Sequence, residues 1–131
     1  MKGTIEVMAY LLVFLGAGFG GALRHGVSVT VARLLLPGFP VATLTVNVLG
    51  SIVMGLLAGY FAFRGDNSQH WRLFLTTGIL GGFTTFSTFS LDVALLWERG
   101  QALGALVYVL ASFVLAVGGL FAGLTLVRQL V

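Results

Sequence analysis

The sequence predicts an all-α integral membrane protein: four transmembrane helices in a single domain over residues 1–131, the third helix broken at the midplane. Three observations carry this reading. Only 8% of the 131 residues are charged and 58% are hydrophobic, so the charged fraction is about a third of the ~25% of soluble domains. The uncharged residues form four stretches, 7–23, 34–63, 73–91 and 100–127, each near or above the ~17–25 residues that cross a bilayer. Within the third stretch, Gly78-Ile79-Leu80-Gly81-Gly82-Phe83-Thr84-Thr85-Phe86-Ser87-Thr88-Phe89-Ser90 combines glycine, hydroxyls and phenylalanine. Paired glycines weaken a helix, and in lipid every freed amide and carbonyl needs a partner.

The same composition excludes several function classes. Four spans leave no room for a nucleotide-binding or catalytic module, and no enzyme is expected. With no cysteine there is no thiol chemistry. The net charge of +3 reflects scattered flanking arginines, with no basic patch for nucleic acid. Asp66 and His70 share a short polar loop and read as a solvated pair. His-x-x-x-His and Walker patterns are missing, and Gly16-Ala17-Gly18-Phe19-Gly20 lies within a lipid span.

The first span follows a short polar start, Met1–Glu6, and runs through Gly16–Gly21 to Arg24. Its apolar run exceeds the ~7–15 residues of a signal-peptide core and membrane-like sequence follows it, so it is expected to stay in the protein. Gly16 and Gly20 form a face for close helix packing. Arg24, directly after the apolar run, has two readings: a side chain snorkelling to the headgroups, or an electropositive vestibule that gathers anions. His25 reads as interfacial. Residues 27–36 extend the helix or lie on the surface, and Arg33 favours the surface. Leu36-Pro37-Gly38-Phe39-Pro40 is the turn, with Pro40 in the first turn of the next helix.

The second span, Val41–Phe63, places Thr43, Asn47, Gly50 and Met54 on one stripe. Asn47, a deep amide, is either glue between helices or a donor facing a pore. Gly55 and Gly59 form a packing face. Residues 64–70 are a short polar loop.

Trp71 and Trp97 bracket the third span as interfacial belts, and Thr84 is their midpoint. The weak stretch therefore falls near the bilayer centre. Its hydroxyls, Thr84, Thr85, Ser87, Thr88 and Ser90, can bend a helix or line a polar track, and carbonyls freed at such a break can bind a small hard cation. Phe86 and Phe89 share a face, where ring edges, weakly positive, could attract an anion. Asp92, ~12 Å from Thr84 at ~1.5 Å per residue, is expected in an interfacial ion pair. Gly100 ends the helix. The fourth span, 101–128, carries Tyr108 and Ser112 one turn apart, as contacts or pore lining, and a second glycine face at Gly119 and Gly123.

With four spans, Lys2, Arg64, Arg72 and Arg128 lie on one side and Arg24, Arg33 and Arg99 on the other. Four against three is almost no positive-inside bias, so two orientations, and an inverted pair of chains, stand beside a single orientation.

Gly81-Gly82-Phe83-Thr84-Thr85-Phe86-Ser87-Thr88-Phe89 resembles the signature of the Fluc (CrcB) fluoride channels. The resemblance extends to Gly20-Gly21-Ala22-Leu23-Arg24 and to Thr43-Leu44-Thr45-Val46-Asn47-Val48-Leu49-Gly50, and it covers all four spans. It implies an antiparallel dual-topology homodimer in the bacterial inner membrane that exports fluoride passively through two pores. Phe86 and Phe89 would match the phenylalanine box, Asn47 and Thr43 the second-helix pore residues, and Tyr108 and Ser112 the fourth-helix polar track, with Thr85 and Thr88 beside the path. Arg24 would match the vestibule arginine. The carbonyls of Gly81 and Thr84 would match the ligands of a structural Na+ shared between subunits. The alternative is a dual-topology small multidrug-type transporter, which needs a deep acidic residue that the uncharged stretches lack.

Overall fold

The computed structural model describes residues 2–35, 37–64 and 69–130. Leu36 of the turn, residues 65–68 with Asp66, and the Lys2 side chain lie outside the described residues. Four helical spans follow one another: Gly3–Leu34, Val41–Arg64, Gln69–Glu98 and Ala102–Leu130, each long and apolar enough to cross a membrane. The all-α, four-span expectation is met.

The first helix, α1 (Lys2–Leu34), has 33 residues, roughly 50 Å at 1.5 Å per residue, against a hydrocarbon core of about 30 Å. It does not end near Arg24. Residues 25–34 contain no proline, so the backbone continues to Leu34 and the surface segment expected over 27–36 is helix. Gly38, at φ +106°, makes the turn that follows, and α2 (Val41–Arg64) begins with Leu44 N–H donating to the Pro40 carbonyl at 3.2 Å.

The third span is composite. It opens with α3 (Gln69–Arg72), which includes His70 in helix rather than loop, and widens into a π-helical segment, Leu73–Leu80. A short α4 (Gly81–Phe83) follows. Thr84 and Thr85 are extended, at φ −80°, ψ 157° and φ −152°, ψ 114°, before α5 (Phe86–Glu98). Exposed Trp71 and Trp97 stand at the two ends. Gly100, at φ +74°, ends the span as expected, and α6 (Ala102–Leu130) completes the chain.

Packing follows the glycine faces. Alternating crossings make α1 run parallel to the third span and α2 parallel to α6. The first half of the third span packs on α1, and its second half, α5, packs on α6. The change of partner falls at Thr84–Thr85. A Cβ on Gly16 would come within 2.7 Å of the Phe74 carbonyl oxygen, and one on Gly20 would strike the Ile79 carbonyl. The same holds between α2 and α6, where Gly55 faces the Leu120 carbonyl and Gly123 lies within 2.9 Å of the Leu56 amide in the same sense. These are backbone-to-backbone approaches that only the smallest residue allows.

The interior is thin. Val46 and Tyr108 are fully buried, with Leu80, Leu96 and Ala105 close behind, whereas Phe14, Phe19, Phe86, Phe113 and Phe121 are all more than half exposed. Such an outward apolar surface fits a lipid environment, where helix faces need not be polar.

The close approach at Gly20 is testable. Alanine is the better helix former, yet Gly20→Ala should destabilise the fold by about 1–3 kcal/mol through overpacking. Gly118→Ala, which meets open space, should be neutral or stabilising. Thermal unfolding of the two purified variants in detergent checks the contrast.

Candidate functional site

The extended pair Thr84–Thr85 is held by four sets of side-chain contacts. Asn47 Oδ1 accepts the Thr85 N–H at 2.8 Å, and Asn47 Nδ2 donates to the Thr85 carbonyl at 3.0 Å. Thr85 caps α5: its Oγ1 accepts the Thr88 N–H at 3.2 Å and donates to Thr88 Oγ1 at 3.0 Å. From the other side, Arg24 Nη1 donates to the Thr84 carbonyl at 3.5 Å. Thr84 Oγ1 bonds back to the Leu80 carbonyl at 2.9 Å.

This network changes the reading of two residues. Arg24 is ten residues inside α1, half-buried and within reach of the Thr84 carbonyl, so the helix does not end there as expected. Asn47 acts as glue in the described chain, with both ends of its amide engaged on one peptide residue.

Beside the extended pair lies an open-sided cleft of about 530 Å³ between α2, α5 and α6. Asn47, Thr84, Thr85, Phe86, Phe89 and Ser112 are among its lining residues, and none of the lining residues is charged. The Phe86 and Phe89 rings are 5.4 Å apart between centroids, tilted by 42°, and Phe89 is 5.2 Å from the Tyr108 ring. Phe39 completes the row edge-on to Tyr108 at 5.6 Å. Phe86 is 79% exposed, whereas Tyr108 is fully buried. Ser112 Oγ is buried and has no hydrogen-bond partner among the described residues. A buried hydroxyl without a partner is uncommon, and this one leaves a donor free in the lining of the cleft.

The fold thus brings Asn47, Phe86, Phe89, Ser112, Thr84 and Thr85 to one cleft. Thr43 is buried one turn before Asn47 on α2, and Tyr108 sits behind Phe89. Thr88 is committed to the α5 cap. Gly81 is exposed one turn before the extended pair.

Residues 11–124 match the family model described as CrcB-like protein, Camphor Resistance (CrcB). The chain belongs to the CrcB family. A relative from Rhodopseudomonas palustris (strain BisB5) is 60% identical over 94% of this chain and 99% of its own length, and bears the name fluoride-specific ion channel FluC. Relatives with the same name from Granulibacter bethesdensis, 54% identical over 95% of this chain and 98% of theirs, and from Paracoccus denitrificans, 53% identical over 92% and 95%, extend the match to more distant sequences.

In this CrcB-family chain, Asp92 has a role that sequence spacing did not reveal. Its Oδ2 accepts the Tyr108 hydroxyl at 3.1 Å, so its recorded partner is a phenol on α6 and not the cation expected at an interface. The pair lies 16 residues apart across the Gly100 turn. An acid on α5 facing a lone tyrosine on the adjoining helix was the only signal available.

Removing the cap hydroxyl while keeping the shape should isolate its contribution. Thr85→Val is expected to lose about 0.5–2 kcal/mol, the usual worth of an N-cap, whereas Thr85→Ser should retain most of it. The difference in thermal midpoint between the two variants checks this.

Proposed function

We propose that this chain is a fluoride-selective passive channel that exports fluoride across the bacterial inner membrane. It works as an antiparallel, dual-topology homodimer with two pores. The observation that carries the reading is the uncharged cleft in which the Ser112 hydroxyl is buried without a partner beside the Phe86 and Phe89 rings. The name shared by the relatives, fluoride-specific ion channel, supports it.

Fluoride is small and strongly hydrated, so a pore must replace its water with donors, and must do so weakly enough for exit. Ser112 has a free O–H. Asn47 has a second Nδ2 hydrogen beyond the one given to Thr85. The Phe86 and Phe89 ring edges carry partial positive charge and cannot hold the ion as an ammonium would. Thr43, Tyr108, Thr85 and Thr88 flank this path with hydroxyls, and Arg24 supplies positive potential at its edge. Phe86, open on one side in a single protomer, would be covered by the inverted copy.

A structural sodium fits the break in the third helix near the midplane. In a continuous helix the Gly81 carbonyl would accept from the Thr85 amide, and the Thr84 carbonyl from the Thr88 amide. The first amide is bound to Asn47 and the second to Thr85 Oγ1. Both oxygens are thereby released from the helix pattern; the Gly81 carbonyl carries no side-chain donor among the described residues, the Thr84 carbonyl keeps the long 3.5 Å contact from Arg24 and has a second lone pair, and a second copy would bring the same pair. The ion would supply fixed positive charge at the subunit contact.

Purified protein in liposomes should release fluoride passively, with far slower chloride release. Equal rates for the two anions, or release that requires a proton gradient, would overturn the reading. Phe86→Ile and Phe89→Ile should each cut fluoride flux by about tenfold, the scale of one lost ring interaction, with the dimer intact by size-exclusion chromatography.

A further inference from the structure

The extended conformation of Thr85 sets up an unusual demand. At φ −152°, ψ 114°, a residue's own N–H and C=O point to the same side, as they do in a hydrogen-bonded strand pair. In a sheet a neighbouring strand would satisfy both. Here no strand is at hand among the described residues, and one planar side-chain amide does the work. Asn47 accepts from the Thr85 N–H and donates to the Thr85 C=O. The orientation of that amide is dictated, since the N–H can only donate and the C=O can only accept. α2 reaches this close because the next turn carries Gly50, where a Cβ would strike Thr84 Cγ2.

The consequence falls on a different atom. The Thr85 amide is the helical partner that the Gly81 carbonyl would otherwise have. The geometry points to Asn47 as a positioning residue for the cation site: by taking the Thr85 N–H it keeps the Gly81 carbonyl out of the helix's own hydrogen bonding, while Thr85 Oγ1 takes the Thr88 amide that the Thr84 carbonyl would otherwise have. This rests on the reading of those two carbonyls as cation ligands. Asn47 thereby serves two sites with separate hydrogen-bonding positions of one amide. Oδ1, together with one Nδ2 hydrogen, holds the backbone, and the other Nδ2 hydrogen is left for the anion path. Substitutions at Asn47 therefore divide into those that lose the acceptor and those that lose only the donor.

The test uses the full-length purified chain and two readouts: the rise in thermal midpoint on titrating sodium against a potassium background, and fluoride release from liposomes. Asn47→Ala removes both atoms and should weaken the apparent sodium constant by about tenfold, the scale of losing a hydrogen bond that holds a buried group, with fluoride release lost as well. Asn47→Asp keeps the acceptor for the Thr85 amide, the contact that frees the Gly81 carbonyl, and gives up the donation to the Thr85 carbonyl. It should retain the sodium response while losing fluoride release, because a carboxylate offers no donor and repels the anion. Phe86→Ile, which touches neither carbonyl, should lose flux with the sodium response intact.

An unchanged sodium constant in Asn47→Ala overturns the proposal, and so does a folded Asn47→Asp protein with no sodium response. Hydrogen exchange at the Thr85 amide covers the case in which Asn47→Ala does not fold: exchange in Asn47→Asp should stay as slow as in the parent protein, and fast exchange in the parent protein would itself refute the contact. A parent protein that releases fluoride but shows no sodium response would overturn the cation reading, with the Thr85 exchange still judging the contact itself.

Discussion

In lipid an unpaired backbone amide or carbonyl has no water to turn to, and an extended dipeptide inside an apolar helix frees several at once. The rest of the structure answers to that constraint. Asn47 of α2 takes both groups of Thr85, the Thr85 hydroxyl takes the amide of Thr88, and Arg24 of α1 donates to the Thr84 carbonyl. Three helices therefore converge on two residues. An arginine at that level would be costly if it faced hydrocarbon; facing a carbonyl, it is half-satisfied by the group it stabilises.

The four spans were legible because uncharged length is a property of local sequence. So were the glycine faces, since their spacing alone places them on one side of a helix. Partners were not legible. Asn47 and Thr85 are 38 residues apart and Arg24 and Thr84 are 60 apart, so no window of sequence contains both halves of either contact. Arg24 was placed at a helix end because a charge normally marks the interface. That inference fails when a polar backbone group waits at the same depth on a neighbouring helix. Asp92 was assigned to an ion pair for a similar reason, and Tyr108 gives it a neutral donor instead.

The resemblance to the family and the physical reading met at different strengths. Phe86 and Phe89 gain little from spacing arguments, since a pair three residues apart occurs on any apolar helix. Their stacking with Tyr108 and Phe39 into one row, beside an orphan hydroxyl, is a property of the fold. The hydroxyls divide in the same way: Thr85 and Thr88 of the third span are occupied by capping, whereas Ser112 of the fourth is buried with no partner among the described residues.

The pairing of α1 with the third span and of α2 with α6 bears on how the chain is built. Helices emerge into the membrane in sequence order, but here each of the first two finds its principal partner two spans later. Until the third span arrives, the glycine face of α1 lies against lipid and Arg24 has no carbonyl to meet. Until the fourth arrives, the same is true of the Gly55 face. The first half of the polypeptide is therefore an incomplete intermediate, and the ribosome must finish most of its work before any of the tight helix contacts can close.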